Sequence, residues 1–368
     1  MPLRRRVRHL KSPQTLLALV TDAFGGRGGI AQYNRDFLSA AAAMPSIHSL
    51  NILVRRIPDD FAPPAGVRQV MPGSTRIAYI VRALLMGLGR KGGILFCGHI
   101  HLAPLAALVA RMSRAQLIVQ LHGVEAWQRP GRLQRRAVEA ASLILCVSRY
   151  TRTRLLQWAD VSPERALVVS NTVNPIFSPG STANLRATWN LEGKTVLLTV
   201  ARMDARERYK GHERIIAALP ELDAKVVYVV LGEGDDADRL KRFAAEKGVS
   251  ARVLFKGAVS RETLVEAYRM ADLFVMPSTG EGFGIAFLEA MACGTPALGL
   301  AIAGATDALV DGELGIAAKE EEFAGELKRL LADAKKDEAI LAESVRSRFG
   351  RETFVRSVHN ALNRLLAA

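Results

Sequence analysis

Along this chain short apolar runs alternate with longer amphipathic stretches, the pattern of α/β layers built around parallel sheets. In the first half the strand candidates are TLLALVTD, HSLNILVRR, GILFCGH, QLIVQLHG, SLILCVS and RALVVSN. In the second half they are TVLLTVAR, KVVYVVLG, RVLFKGA, LFVMPS and TPALGL. Segments such as GHERIIAALPEL, DADRLKRFAAEKG and RETLVEAYRMA separate them and read as helices. Between the two series, NPIFSPGSTANLRATWNLEG is rich in Pro, Gly, Ser and Asn and has no period, so it reads as a linker. The pattern predicts two Rossmann-like, doubly wound parallel-sheet domains at 1–176 and 194–350, a linker at 177–193 and a closing helix within 351–368. Facing each other, such domains put the carboxyl ends of both strand sets on a central cleft, where ligands of this architecture bind.

A length of 368 residues with 49% hydrophobic content fits two cores. The three cysteines, Cys97, Cys146 and Cys293, stand in apolar contexts without metal-type spacing and read as buried thiols of a reducing compartment. Near the N-terminus the run TLLALV is too short for a signal-peptide core, and no run reaches about 18 apolar residues. A soluble or peripheral cytoplasmic protein is expected.

Charge changes this picture. Residues 1–180 hold 24 Lys+Arg against 8 Asp+Glu, whereas 181–368 hold 26 against 28. So basic a first half points to an anionic partner, nucleic acid or a membrane surface. Nucleic acid fits less well, because no aromatics interleave the cations and no binding motif is present. In STRIAYIVRALLMGLGRKGG, Ile77, Ile80, Val81, Leu84, Leu85 and Leu88 gather on one helical side, flanked by Arg76, Arg82, Arg90 and Lys91. That is the pattern of a helix lying in a membrane interface, and equally of a helix facing a core.

The residues with chemistry follow strands. STGEGFGIAFLEAMACGTP turns through Gly280, Gly282 and Gly284 into a helix whose end is marked by Gly294 and Pro296. Glu281 stands just before that helix and Glu289 inside it, flanked by Leu288 and Ala290. A carboxylate buried there without partners costs several kcal/mol, about the price of an unpaired buried charge; a diol's two O–H donors would satisfy it. In VARMDARERYKGHE, Arg202 leaves a strand and Lys210 precedes a helix start, a combination suited to a diphosphate. DAFGGRGGIAQY resembles a phosphate-binding turn without a clean G-x-G-x-x-G. His122 follows a strand directly, as do His99 and His101, which have no evident third metal ligand. Asp236 and Asp238 in GDDADRL stand at a helix start, where acids are favoured, and read as capping rather than as a metal-holding Asp-x-Asp.

Together these motifs resemble the GT-B fold glycosyltransferases of family 4, the retaining group that includes the bacterial group 1 glycosyl transferases. The likeness covers nearly the whole chain and rests on the two glutamates of EGFGIAFLEAMACGTP, Arg202 and Lys210 before GHE, the N-terminal GGI and the strand-end HG, in that order. It implies that Glu281 holds donor sugar hydroxyls and Glu289 the ribose. It implies that the backbone of Gly282, Phe283, Gly284 and Ile285 meets sugar and phosphate, and that Arg202 and Lys210 neutralise the diphosphate. Gly29 would approach that diphosphate from the N-terminal, acceptor-binding domain, and His122 would touch the sugar. It also implies a final helix that crosses back to the first domain. The expected reaction moves a hexose, without metal or other cofactor, from GDP-mannose or a UDP-sugar to a lipid-linked or polysaccharide acceptor. A nucleotide-sugar epimerase or a sugar phosphorylase on the same fold is the alternative. The sequence NTVNPIF departs from the NGVD of many relatives.

Overall fold

The computed structural model describes residues 14–26, 28–56, 63–71, 75–181, 183–332 and 337–367. The N-terminal arginines and Arg27 fall outside them. The first sheet contains β1 (Gln14–Val20), β2 (Ile47–Val54), β3 (Val67–Val70), β4 (Ile94–Cys97), β5 (Gln116–Leu121), β6 (Leu143–Cys146) and β7 (Ala166–Val168). The second contains β8 (Thr195–Val200), β9 (Val226–Leu231), β10 (Val253–Gly257), β11 (Leu273–Met276), β12 (Ala297–Leu300) and β13 (Ile316–Ala318). Their orders are β3-β2-β1-β4-β5-β6-β7 and β10-β9-β8-β11-β12-β13, the doubly wound arrangement. Every pairing is parallel.

Helices cover both faces of each sheet, so the inner strands are apolar at nearly every position. β4, β6, β9, β11 and β12 are buried from end to end. The sequence pattern did not predict β3 or β13. Both are short edge strands, with VRQV and IAA too brief and too mixed to stand out. The linker region contains a short helix, Ala183–Thr188, whose Arg186 donates to the Met270 carbonyl and pairs with Asp272 at 2.8 Å. All three cysteines are free and buried.

The last helix, Arg351–Ala367, lies on the first domain. His359 Nε2 is 2.8 Å from the Ala40 carbonyl, and Gln116 Nε2 donates to the Leu365 carbonyl at 3.1 Å. Its buried Phe354, Val358, Leu362 and Leu365 continue a core that runs through both domains. Each such side chain contributes on the order of 1.5–3 kcal/mol. This strap fixes the two sheets over one cleft.

Candidate active site

Four strand ends build the site. After β1 the chain turns at Gly28, with φ +89°, into the helix Gly29–Ala42. Asn34 and Arg35 of that helix hold the turn by donating to the carbonyls of Asp22, Ala23 and Gly26. Space beyond Gly28 and Gly29 is open, so a ligand can reach the backbone there. After β5 come His122 and Gly123, and after β8 come Arg202 and the turn Ala205–Lys210. After β11 the loop through Glu281 ends at Gly284, φ +93°, which opens the helix Ile285–Ala292 without a side-chain cap. First-turn N–H groups of such a helix have no intrahelical acceptor and point toward an anion.

These ends surround a cavity of about 630 Å³. Gly29, His122, Arg202, Lys210, Glu281 and the Gly282–Ile285 backbone all line it. Glu289 is not among the lining residues. It sits deeper in its helix, 7% exposed, where one carboxylate oxygen accepts from the Tyr268 hydroxyl at 2.8 Å. Burial pushes its carboxyl up to about 7, against the lowering effect of that hydrogen bond.

Lys210 and Glu281 were expected to meet different parts of a donor. In the structure they meet each other, with Nζ 2.6 Å from Oε1 and both side chains largely buried. Burial pulls the Lys210 ammonium down, but the Glu281 carboxylate outweighs it, and the net shift is upward. Arg202 is largely exposed and pairs with Glu207. The site therefore stores its two buried charges as a pair.

His122 Nε2 lies 2.9 Å from the Gly98 carbonyl. A carbonyl only accepts, so Nε2 carries the proton and Nδ1 of the neutral ring is the acceptor. Burial holds the ring below its ordinary pKa, partly offset by Glu125. Glu125 Oε1 accepts from the backbone N–H of His122 at 2.6 Å and of Gly123 at 3.2 Å, and the side chain also lines the cavity. Sequence reasoning missed Glu125, although it stands three residues after the strand-end histidine. It also missed Tyr209, whose ring centroid lies 5.4 Å from Lys210 Nζ on the cavity wall.

At this cleft the two domains touch backbone to backbone. A Cβ on Gly282 would stand 2.1 Å from the His122 carbonyl oxygen, and one on Gly123, φ +139°, 2.4 Å from the Gly282 Cα. Neither position tolerates a side chain without displacement.

Both acids of GDDADRL stand at the helix start, Asp238 in its first turn, but Asp236 does not serve as a cap. Asp236 takes the N-cap position of the helix Ala237–Glu246 but makes no side-chain cap; its carboxylate pairs with Arg208 and Arg239. Asp238 pairs with Lys241. His99 and His101 face each other with ring centroids 4.8 Å apart. Among the described residues no three His, Cys, Asp or Glu side chains gather as a metal site.

The helix Arg76–Leu88 buries Tyr79, Ala83 and Gly87 and turns its apolar stripe outward. Ile77 is 73% exposed and Leu85 62%, with Ile80, Val81 and Leu88 exposed beside them. Arg76, Arg82 and Lys91 are exposed around the stripe, whereas Arg90 is half-buried. The core-facing reading of this segment is thereby corrected for all of the stripe but Leu84, which is half-buried against the core, while Gly87 packs on Val109 of the helix Ala103–Ser113. Among the described residues no helix is long and apolar enough to cross a membrane.

Comparison with known proteins bears on both halves. Residues 27–176 match the family model described as Glycosyltransferase Family 4, and residues 181–348 the model described as Glycosyl transferases group 1. The GDP-mannose-dependent alpha-(1-6)-phosphatidylinositol monomannoside mannosyltransferase of Mycolicibacterium smegmatis is 29% identical over 332 residues, 81% of this chain and 84% of that one. A D-inositol 3-phosphate glycosyltransferase of Mycobacterium sp. (strain KMS) is 35% identical over 185 residues, covering 50% of this chain but only 42% of that protein. Among solved structures, sucrose-phosphate synthase from Thermosynechococcus elongatus aligns with a TM-score of 0.78 at 22% identity, over 96% of this chain and all of that one. Anabaena HepE in complex with UDP and glucose aligns at 0.77 and 19% identity, over 95% of this chain and all of that one. These last two likenesses are of fold.

Proposed function

We propose that this chain, which belongs to the group 1 glycosyltransferases of family 4 and has their GT-B fold, moves a hexose from a nucleoside diphosphate to a lipid-linked saccharide with retention of configuration. One observation carries the reading. Lys210, Arg202, Glu281, Glu289 and the N-termini of two helices from opposite domains converge on or beside one cavity at the strand ends.

In this reading the diphosphate enters between the Gly29 and Ile285 helix ends and draws Lys210 away from Glu281. Arg202 closes over it from the exposed side. Freed of its partner, Glu281 accepts hydrogen bonds from sugar hydroxyls. Glu289, already held by Tyr268, offers its remaining oxygen to the ribose. The glycosidic C1–O bond to the phosphate breaks with its electron pair leaving on that oxygen. Lys210, Arg202 and the helix N–H groups stabilise the charge that develops there, which is usually the largest single term. The acceptor hydroxyl forms its bond to C1 on the same face, and its proton passes to the departing phosphate oxygen. His122, neutral with Nδ1 accepting, orients a sugar hydroxyl. No divalent ion is required, because these cations take the role it would have.

The mycobacterial relative is by name GDP-mannose-dependent and acts on a phosphatidylinositol glycolipid. This supports GDP-mannose as the first donor to try, and a lipid acceptor. The outward apolar stripe of Arg76–Leu88 with its rim of cations supports docking on the cytoplasmic face of an anionic membrane. The test is release of nucleoside diphosphate from GDP-mannose, UDP-glucose and UDP-N-acetylglucosamine, with and without a membrane lipid extract, in EDTA. Acceptor-dependent release from one donor is expected. Release from none, or only with added Mn²⁺ or Mg²⁺, would overturn the reading.

A further inference from the structure

Away from the cavity a set of charges joins the two domains. Arg149 is the first residue of the helix Arg149–Trp158, and it meets the loop after β12. Its backbone N–H and its Nε both donate to Asp307 Oδ1, at 3.1 and 2.9 Å, and its Nη2 donates to Asp311 Oδ1 at 2.8 Å. The Asp307 side chain is largely covered there, at 8% exposed, while Arg149 and Asp311 are exposed. One guanidinium thus holds two carboxylates of the other domain together.

Asp307 lies in the short helix Ala305–Ala308, and the turn after it that carries Asp311 is strained. Val310 and Asp311 both have φ of +52°, and Gly312 follows at +100°. A β-branched residue in the left-handed region is an outlier that persists only where its surroundings hold it, and such residues cluster at functional sites.

Both ends of the contact lead to the cavity. On one side Asp307 N–H donates to the Gly304 carbonyl, and Gly304 N–H donates to the Glu281 carbonyl at 2.9 Å. Gly304 is packed so closely that a Cβ on it would lie 2.0 Å from the Gly282 carbonyl oxygen. On the other side Thr151, in the first turn of the Arg149 helix, accepts from Trp127 Nε1 at 3.2 Å, in the loop that follows His122 and Glu125. A shift at Arg149 therefore reaches the Glu281 loop and the His122 loop together.

We infer that Arg149, with Asp307 and Asp311, is an interdomain clasp that sets the closed cleft and so acts as a positioning residue for transfer. The inference rests on the glycosyl-transfer reading for its kinetic consequence only. Removing the guanidinium leaves two carboxylates facing each other across the strained loop, so Arg149→Ala opens the cleft more than Asp311→Asn does. Lysine keeps the charge without the fork, so Arg149→Lys closes it again in part.

The test compares these variants with the full-length protein in two ways. Small-angle scattering needs no substrate. Arg149→Ala should have a larger radius of gyration than the wild type, and Arg149→Lys a value between them. Turnover of the best donor should fall about 5- to 10-fold in kcat for Arg149→Ala, the scale of an exposed pair plus one buried partner, with donor KM changed less than twofold. Arg149→Lys should recover part of it. Unchanged scattering for Arg149→Ala would overturn the clasp. So would a kcat loss that lysine does not relieve, which would mark a merely structural role. If the wild type turns over no donor, the transferase reading fails while scattering still decides the clasp.

Discussion

Replacing Glu281 by glutamine tests the stored ion pair most sharply. Glu281 Oε1 and Lys210 Nζ are 2.6 Å apart, with side chains 9% and 16% exposed. Removing one member of a buried pair costs about 3–5 kcal/mol, because the other charge stays behind unpaired. The residual exposure sets the expected cost at the lower end, about 3 kcal/mol. The pH dependence has a definite sign. In the wild type the Lys210 pKa is raised, with Glu281 outweighing burial, so its contribution is full below the unfolded value of about 10.4 and is lost as pH rises through the folded value. In Glu281→Gln burial is opposed only by the weaker effects of Tyr209 and Glu207 and the folded pKa drops, so the variant is penalised at neutral pH and relieved as Lys210 deprotonates. Thermal and urea unfolding should therefore show a stability gap widest near pH 7 and narrowing toward pH 11. Lys210→Met should also destabilise, and the double variant should lose less than the two singles together. Saturating GDP or UDP should narrow the gap, since the diphosphate gives Lys210 a new anion. A gap below about 1 kcal/mol at pH 7, or one that widens with alkali, refutes the reasoning.

Three other perturbations follow from the geometry. Glu289→Gln should be more stable than the wild type at pH 8, because a carboxyl raised to about 7 loses its stabilising contribution as pH rises from about 4.3 through that value; the difference should vanish near pH 4. The same variant should bind nucleoside diphosphate roughly 10-fold or more weakly by calorimetry, and unchanged affinity would remove the ribose role. Gly282→Ala should lower kcat by about 10²-fold and lower the melting temperature as well, since its Cβ forces the His122 backbone carbonyl back; full activity would mean that the closed contact is not used. The protein should sediment with anionic vesicles at low salt and release at high salt, and Ile77→Ser with Leu85→Ser should abolish sedimentation without changing the melting temperature, as both side chains are exposed.

The central strands were legible because burial on both faces turns them into unbroken apolar runs, as in VVYVVL and LFVM. The edge strands VRQV and IAA were not, since a short strand with one neighbour needs no such run. At the site the residue types were readable and their partnerships were not. Lys210 and Glu281 are 71 positions apart, and nothing local in RYKGHE or TGEGFG announces that one neutralises the other. Tyr268 lies in RETLVEAYRMA, which reads as an ordinary amphipathic helix, yet it is the partner that makes burial of Glu289 tolerable. The stripe of Arg76–Leu88 had the right period, but its direction was fixed by Gly87 packing on Val109, a contact between segments. Asp236 misled because an acid at a helix start resembles a cap, whereas its side chain serves Arg208 and Arg239.

The most direct measurement is a proton NMR time course of donor and acceptor with the purified protein in EDTA. The account predicts that the donor anomeric signal decays as nucleoside diphosphate appears, and that the product carries the donor's anomeric configuration. The rate should collapse in Lys210→Met. An inverted product, dependence on added metal, or a Lys210→Met rate equal to wild type would contradict it.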